Sequence, residues 1–163
     1  MEYRLNHELT ADQMKTLFGK SEKFWYVNDR VLGEIKQHYT VWEGDRLIGL
    51  IAFKDYSECT NSWRKKFTDL KSALYISELM VDPEYQRQGL GTRLVEMVKH
   101  HGIVNDYSQL VLSTDHNDND LVHAFYKRLG FVTVGDFTYE SIGLTLDIYS
   151  LNVRRRWKFA KQK

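Results

Sequence analysis

The stretch Glu78-Leu-Met-Val-Asp-Pro-Glu-Tyr-Gln-Arg-Gln-Gly-Leu-Gly-Thr-Arg-Leu-Val95 decides how the rest of the chain is read. Its left end belongs to Leu74–Val81, which reads as a central strand. That run stops at Asp82-Pro83, where the single proline fixes φ and pushes the residue before it out of helical geometry. Its right end opens a segment from Gly89 to about His101, with Leu90, Leu94, Val95 and Val98 on one helical face. Strand, turn, glycine loop and helix therefore follow one another. Glycines at a helix start let backbone N–H groups approach a phosphate, and the helix dipole favours its negative charge. Arg87 and Arg93 add direct charge pairing. The loop is not a P-loop, because neither Gly89 nor Gly91 is followed by Lys-Ser/Thr. It is not a dinucleotide fingerprint, because position 94, where a small residue is required, holds Leu94.

Outward from this stretch, helices alternate with strands. Gln109–Thr114 reads as a strand, and Asn119 caps a helix carrying Leu121, Val122, Phe125 and Leu129, with Gly130 as its stop. Phe131–Phe137 and Leu144–Leu151 make two final strands. On the N-terminal side, Thr10-Ala11-Asp12-Gln13 has capping-box spacing ahead of the face Ala11, Met14, Leu17 and Phe18. The aromatic cluster Phe24-Trp25-Tyr26 follows, and Asn28 or Asp29 caps a short helix holding Val31, Leu32 and Ile35. Tyr39–Trp42 and Leu47–Phe53 read as a hairpin. The segment Asp55–Ser72 is long for a connection between strands, and Trp63, Phe67 and Leu70 at i, i+4 and i+7 predict an added helix capped by Asn61 or Ser62. The pattern is that of a mixed α/β sheet.

Gln86-Arg-Gln-Gly89-Leu-Gly91, following a strand that ends Val-Asp-Pro, resembles the Gln/Arg-x-x-Gly-x-Gly/Ala pyrophosphate loop of the GCN5-related N-acetyltransferase (GNAT) superfamily. Asn119 to Phe131, with Ala124-Phe-Tyr126-Lys-Arg-Leu-Gly-Phe131, resembles that family's second landmark, in the right order. The resemblance is sharp from Leu74 to Val134. It implies an α/β (α+β) fold with a mixed central sheet of six or seven strands flanked by about four helices. The two central parallel strands splay apart, with acetyl-CoA in the gap. It further implies that backbone groups of Leu79, Met80 and Val81 pair with the pantetheine arm. Loop amides from Gln86, Arg87, Gln88, Gly89, Leu90, Gly91 and Thr92 would hold the pyrophosphate, with Asn119 and Tyr126 facing the cofactor. Activity by resemblance is direct transfer of an acetyl group from acetyl-CoA to a primary amine of a small molecule or peptide.

Residue chemistry is compatible with that route. An attacking amine must be neutral, yet amines are mostly ammonium at neutral pH, so a general base helps. Glu78 is the candidate: strand alternation puts it on a face with Leu74, Ile76 and Met80, where burial would raise its pKa. A structural ion pair or an acceptor-binding charge are its other readings. Tyr126, at the edge of its helix's apolar face, is the candidate acid for the departing thiolate, against the reading of a core-edge tyrosine. Asp115 and His116 are second-line candidates for acceptor contact or proton transfer. His123 falls opposite the apolar face and is expected in solvent, and His100 and His101 sit near a helix C-terminus where imidazolium is favoured. The six histidines show no metal-ligand spacing, so no metal is expected. Two departures from the family stand out. The Asp55–Ser72 segment is long, and either folds over the acceptor with Trp63 or Phe67 lining it, or is a surface elaboration with a buried aromatic stripe. Asp115-His-Asn-Asp118 is also long, which leaves the cofactor contact open among Asn117, Asp118 and Asn119.

Composition bounds these readings. The chain has 163 residues, 42% of them hydrophobic, enough for one domain over 1–163, and no repeat or linker divides it. No apolar run spans a bilayer and no secretory signal opens the chain, so a soluble protein is expected. Cys59 is the only cysteine, which fits a reducing, cytoplasmic setting and excludes an internal disulfide. Six of the 23 basic residues lie in the acid-free tail Arg154–Lys163, so the other 17 face 22 acids and leave the body near −5. An acidic body suits cationic acceptors. The tail reads as a solvated charge run, and nucleic acid and membrane are not expected partners, while a homodimer is compatible with the sequence. The competing reading is a non-catalytic acyl-CoA-binding module that uses the tail to recruit a partner; an RNA-binding protein is the third.

Overall fold

Residues 73–81, the strand that leads into the glycine loop, form β4 in the computed structural model, which describes residues 1–21, 24, 26–70 and 72–153. The basic tail 154–163 lies outside the described residues. The other strands are β1 (Glu2–Leu5), β2 (Gln37–Glu43), β3 (Arg46–Asp55), β5 (Gln109–Asp115), β6 (Val132–Tyr139) and β7 (Leu144–Asn152). The helices are α1 (Ala11–Phe18), α2 (Asp29–Gly33), α3 (Leu90–Val104) and α4 (Asp120–Arg128). The described strands form one mixed sheet of seven in the order β1-β2-β3-β4-β5-β7-β6. Strand β1 is an addition to the sequence reading. The described residues group into two compact units, Met1–Lys54 with Ile76–Val98, and Asp55–Tyr75 with the residues from Lys99 onward.

The first unit is built on local signals that the structure uses as expected. Thr10 Oγ1 accepts from Gln13 N at 3.1 Å while Gln13 Oε1 accepts from Thr10 N at 2.9 Å, a complete capping box at the start of α1. Asn28 Oδ1 accepts from Val31 N at 3.0 Å and caps α2. Strands β1, β2 and β3 pair antiparallel, with a register shift at Val41/Trp42. Leu17, Phe18, Leu32, Trp42, Leu47, Leu50, Ala52 and Met80 form its core, and Leu90, Leu94, Val95 and Val98 of α3 are all buried.

In the second unit, β4 and β5 form a parallel ladder of three pairs, Ala73–Gln109, Leu74–Leu110 and Tyr75–Val111. Strand β7 pairs antiparallel with both β5 and β6. The α-helix expected within 55–72, capped by Asn61 or Ser62, is not formed among the described residues. Two 3-10 turns, Tyr56–Glu58 and Ser62–Lys66, replace it. Asn61, the expected cap, makes no capping bond and donates Nδ2 to Tyr75 Oη at 2.9 Å. Tyr56 Oη donates to the Phe67 carbonyl at 3.0 Å, taking the acceptor that a further helical turn would need. Trp63 is fully buried against the rings of Tyr56, Phe67 and Tyr75, in one cluster with Cys59, Ala73, Val111 and Ile148. Both Trp63 and Phe67 are therefore core residues, as the buried-stripe alternative expects.

The Phe67 ring sits on Gly135, at the register shift of β6. A Cβ there would lie 2.8 Å from Phe67 Cε1 and 2.9 Å from Cζ, at a φ of +157°. The same ring packs edge-on against Trp63 in the buried cluster, which limits how far it can move. Gly135→Ala is expected to destabilise by about 2 kcal/mol, the cost of overpacking a filled core, read as a lower urea midpoint at unchanged m-value.

Candidate functional site

In the first unit the alternation of β4 puts Ile76, Glu78 and Met80 in the buried set, with Ser77, Leu79 and Val81 half-buried. Glu78 is only 8% exposed. Burial raises its pKa to about 7, against the lowering effects of a hydrogen bond from Tyr26 and of the Lys54 charge. Tyr26 Oη donates to Glu78 Oε2 at 2.7 Å. A carboxyl group in this state changes charge in the neutral range, as a proton acceptor for an amine must. The residue types and spacing around Tyr26 held no sign of this bond, since the partners are 52 residues apart.

Beyond Val81 the chain turns at Asp82, whose carboxylate is 1% exposed and fully engaged. Its Oδ1 accepts from Glu84 N at 3.0 Å, and its Oδ2 accepts from Lys20 Nζ at 2.5 Å and Arg46 Nη2 at 3.1 Å. Burial acts to raise its pKa, but the Lys20 and Glu84 hydrogen bonds outweigh it and hold the group below the usual carboxylate range. Gly19-Lys20-Ser21 does carry the P-loop tripeptide, but position 14 is Met14 where that motif needs glycine, and Lys20 is spent on Asp82.

A 3-10 turn, Pro83–Tyr85, then delivers the loop, with Gln86 Nε2 donating to the Val81 carbonyl at 3.1 Å. Arg87 and Gly89 take left-handed φ values of +65° and +79°. A non-glycine residue in that region is uncommon and marks a backbone held by its surroundings. The first intrahelical bond runs from Arg93 N to the Gly89 carbonyl at 3.0 Å, so the amides of Leu90, Gly91 and Thr92 have no acceptor within α3. Gln86, Arg87, Gln88, Gly89 and Thr92 are exposed, and a Cβ at Gly89 would meet nothing within 4 Å. Three helix-start amides, an open glycine and two arginines form a donor set suited to a diphosphate.

The remaining candidates lie in the second unit. Asn119 is exposed and caps α4, its Oδ1 accepting from Leu121 N at 2.7 Å, which leaves the Nδ2 side for a ligand. Tyr126 is the buried residue of α4, its ring 5.0 Å from Phe125, 5.7 Å from Phe131 and 6.0 Å from Tyr149, centroid to centroid. The helix is therefore rotated from the expected face. Leu121, placed on that face by periodicity, is 66% exposed. His123, expected in solvent, is mostly buried, and its Nδ1 lies 2.7 Å from Tyr149 Oη while its Nε2 has no partner among the described residues. His116 pairs through Nδ1 with both carboxylate oxygens of Asp147 at 3.0 Å, a hydrogen bond and charge that raise its pKa. Asp115 is turned to the Asn117 amide. His101 titrates below the ordinary imidazole value, because burial and the neighbouring His100 outweigh the favourable helix end. No group of three or more His, Cys, Asp or Glu converges as a metal site would need among the described residues. Nor is any described helix long and apolar enough to cross a membrane.

Comparison with known proteins places the chain among acetyltransferases. Residues 6–131 match the sequence profile of the acetyltransferase (GNAT) family. No curated protein matches. Among solved structures, an aminoglycoside 6'-N-acetyltransferase complexed with coenzyme A is similar at a TM-score of 0.70 and 16% identity, over 94% of this chain and 97% of that one. The ribosomal-protein-S18-alanine N-acetyltransferase from Escherichia coli is similar at 0.63 and 18%, over 93% and 94%. A Bacillus subtilis acetyltransferase in complex with CoA is similar at 0.65 and 17%, over 92% and 97%. At these identities the structures speak for the fold alone.

Proposed function

The chain belongs to the acetyltransferase (GNAT) family, and on that premise we propose that it transfers an acetyl group from acetyl-CoA directly to a primary amine of a small molecule or peptide. The observation that carries the proposal is the pairing, on one unit, of a diphosphate-suited loop at Gln86–Thr92 with a buried carboxyl at Glu78 that titrates near neutrality. The whole chain acts as one catalytic domain in this reading, since Asn119 and Tyr126 are assigned to the same reaction. The single cysteine is a buried thiol, in keeping with a cytoplasmic setting.

When bound, acetyl-CoA supplies an activated thioester. The loop amides of Leu90, Gly91 and Thr92, with Arg87 and Arg93, would hold its diphosphate by charge-assisted hydrogen bonds. Backbone groups of Leu79, Met80 and Val81 would pair with its amide-bearing arm, and Asn119 would contribute its amide edge. Glu78, as carboxylate, takes a proton from the acceptor ammonium and leaves the nitrogen lone pair available. As the acceptor nitrogen bonded to the acetyl carbon and the carbon–sulfur bond broke, the Tyr126 hydroxyl would supply a proton to the departing thiolate. The acidic body of the chain favours acceptors that arrive as cations.

Two measurements test this. Coenzyme A at ~100-fold its dissociation constant should stabilise the protein by about 2.7 kcal/mol in a thermal shift, where ATP and NAD should not. Gly89→Ala should fold, because its Cβ meets nothing, yet bind coenzyme A about tenfold more weakly, because an alanine kept at that left-handed φ costs about 1–2 kcal/mol and sheds the strain only by re-aiming the loop amides. An amine panel read by thiol release then separates an enzyme from a non-catalytic binder of acyl-CoA, which would show the shift and no turnover.

A further inference from the structure

The bond between Tyr26 and Glu78 does more than neutralise a buried carboxyl. Tyr26 lies in the segment between α1 and α2, is 41% exposed, and carries its ring 6.2 Å from that of Phe24, which in turn lies 5.0 Å from Phe18. A part-exposed ring is thus tied through its hydroxyl to a carboxylate that is itself 8% exposed. The groups acting on Glu78 are Tyr26 from this segment and Lys54 from the end of β3.

We infer that Tyr26 is the acceptor-recognition residue of the Glu78 site, holding the carboxylate until the ammonium head of an aliphatic amine takes its place. In that exchange one hydrogen bond to Glu78 Oε2 is replaced by another, from N⁺–H in place of the phenol O–H. The displaced ring remains within reach of the ammonium, to which its π-face is attractive. The acceptor class that fits is a flexible primary alkylammonium, such as a polyamine terminus or a lysine side chain. An aniline is a poor fit, being neutral at pH 7. The inference rests on Glu78 receiving the acceptor's proton.

The test uses the full-length protein with n-hexylamine as probe acceptor and aniline as the neutral comparison. Tyr26→Phe removes the hydroxyl that favours the ionised carboxylate, so the acid limb of kcat/KM should move up by about one pH unit, a tenfold change in proton affinity. The Glu78 carboxyl carbon, assigned in NMR by its loss in Glu78→Gln, should shift its titration by the same amount, a readout independent of turnover. Tyr26→Ala should raise KM for hexylamine about tenfold and leave discrimination against aniline weakened. An unmoved Glu78 titration in Tyr26→Phe, or an unmoved KM in Tyr26→Ala, overturns the inference while Glu78 keeps its role. If Glu78→Gln retains both its rate and its acid limb, the reading beneath falls, and the recognition role with it.

Discussion

Glu78→Gln is expected to lower kcat/KM about 10³-fold at pH 8, as removal of a general base does, and to abolish the acid limb of its pH profile. In the wild-type protein that limb should lie near pH 7, rate falling as pH falls, since only the ionised carboxylate accepts the proton. The same substitution should raise stability. The folded-state pKa of about 7 stands above the unfolded value of 4.5, so between them the folded state binds the extra proton. Wild-type stability from this group is therefore greatest in acid, declines as pH rises from about 4.5 through about 7, and stays reduced above. The difference corresponds to roughly 3 kcal/mol, which a neutral glutamine of the same shape, still accepting from Tyr26, does not lose. Denaturation at pH 5 and pH 8 checks this: the two proteins should converge at the lower pH and diverge in favour of the variant at the higher. Equal slopes with pH would mean that Glu78 is ionised throughout. Tyr126→Phe should cost about 10²-fold in kcat without that change of pH slope.

Trp63→Ala should destabilise the protein by about 3–5 kcal/mol. The indole is fully buried among Tyr56, Phe67 and Tyr75, and its Nε1 has no partner among the described residues, so its contribution is packing and not hydrogen bonding. A domain of this kind has roughly 5–15 kcal/mol in total, so the loss is a large fraction and should lower Tm by on the order of 10 °C. Surface elaborations tolerate such changes. A shift below about 2 °C would show that the 55–72 segment contributes little to the core.

The legible parts of the chain were those whose partners lie within a few residues. Thr10 and Gln13 cap one another, Asn28 and Asn119 cap the turns that follow them, and Pro83 stops β4 by its own ring. Glu78 was legible for the same reason, because strand alternation alone assigns it to a buried face. Readings failed where a distant group competed. The heptad-like spacing of Trp63, Phe67 and Leu70 is helical, but Tyr56 takes the Phe67 carbonyl and Tyr75 takes the Asn61 side chain. In α4 the apolar residues alone point to Leu121, whereas the helix turns to seat Tyr126 and His123 against Tyr149. Strand β1, four residues without clear alternation, exists through its ladder with β2. Tyr26 became visible only through its bond to Glu78.

Asp82 joins three stretches of chain that were encoded far apart, at positions 20, 46 and 82–84. Such a knot does not fray. Strong acid, by neutralising a single oxygen pair, would release the end of α1, the hairpin and the approach to the glycine loop together, so the failure of this region should register as one abrupt step and not as progressive loosening.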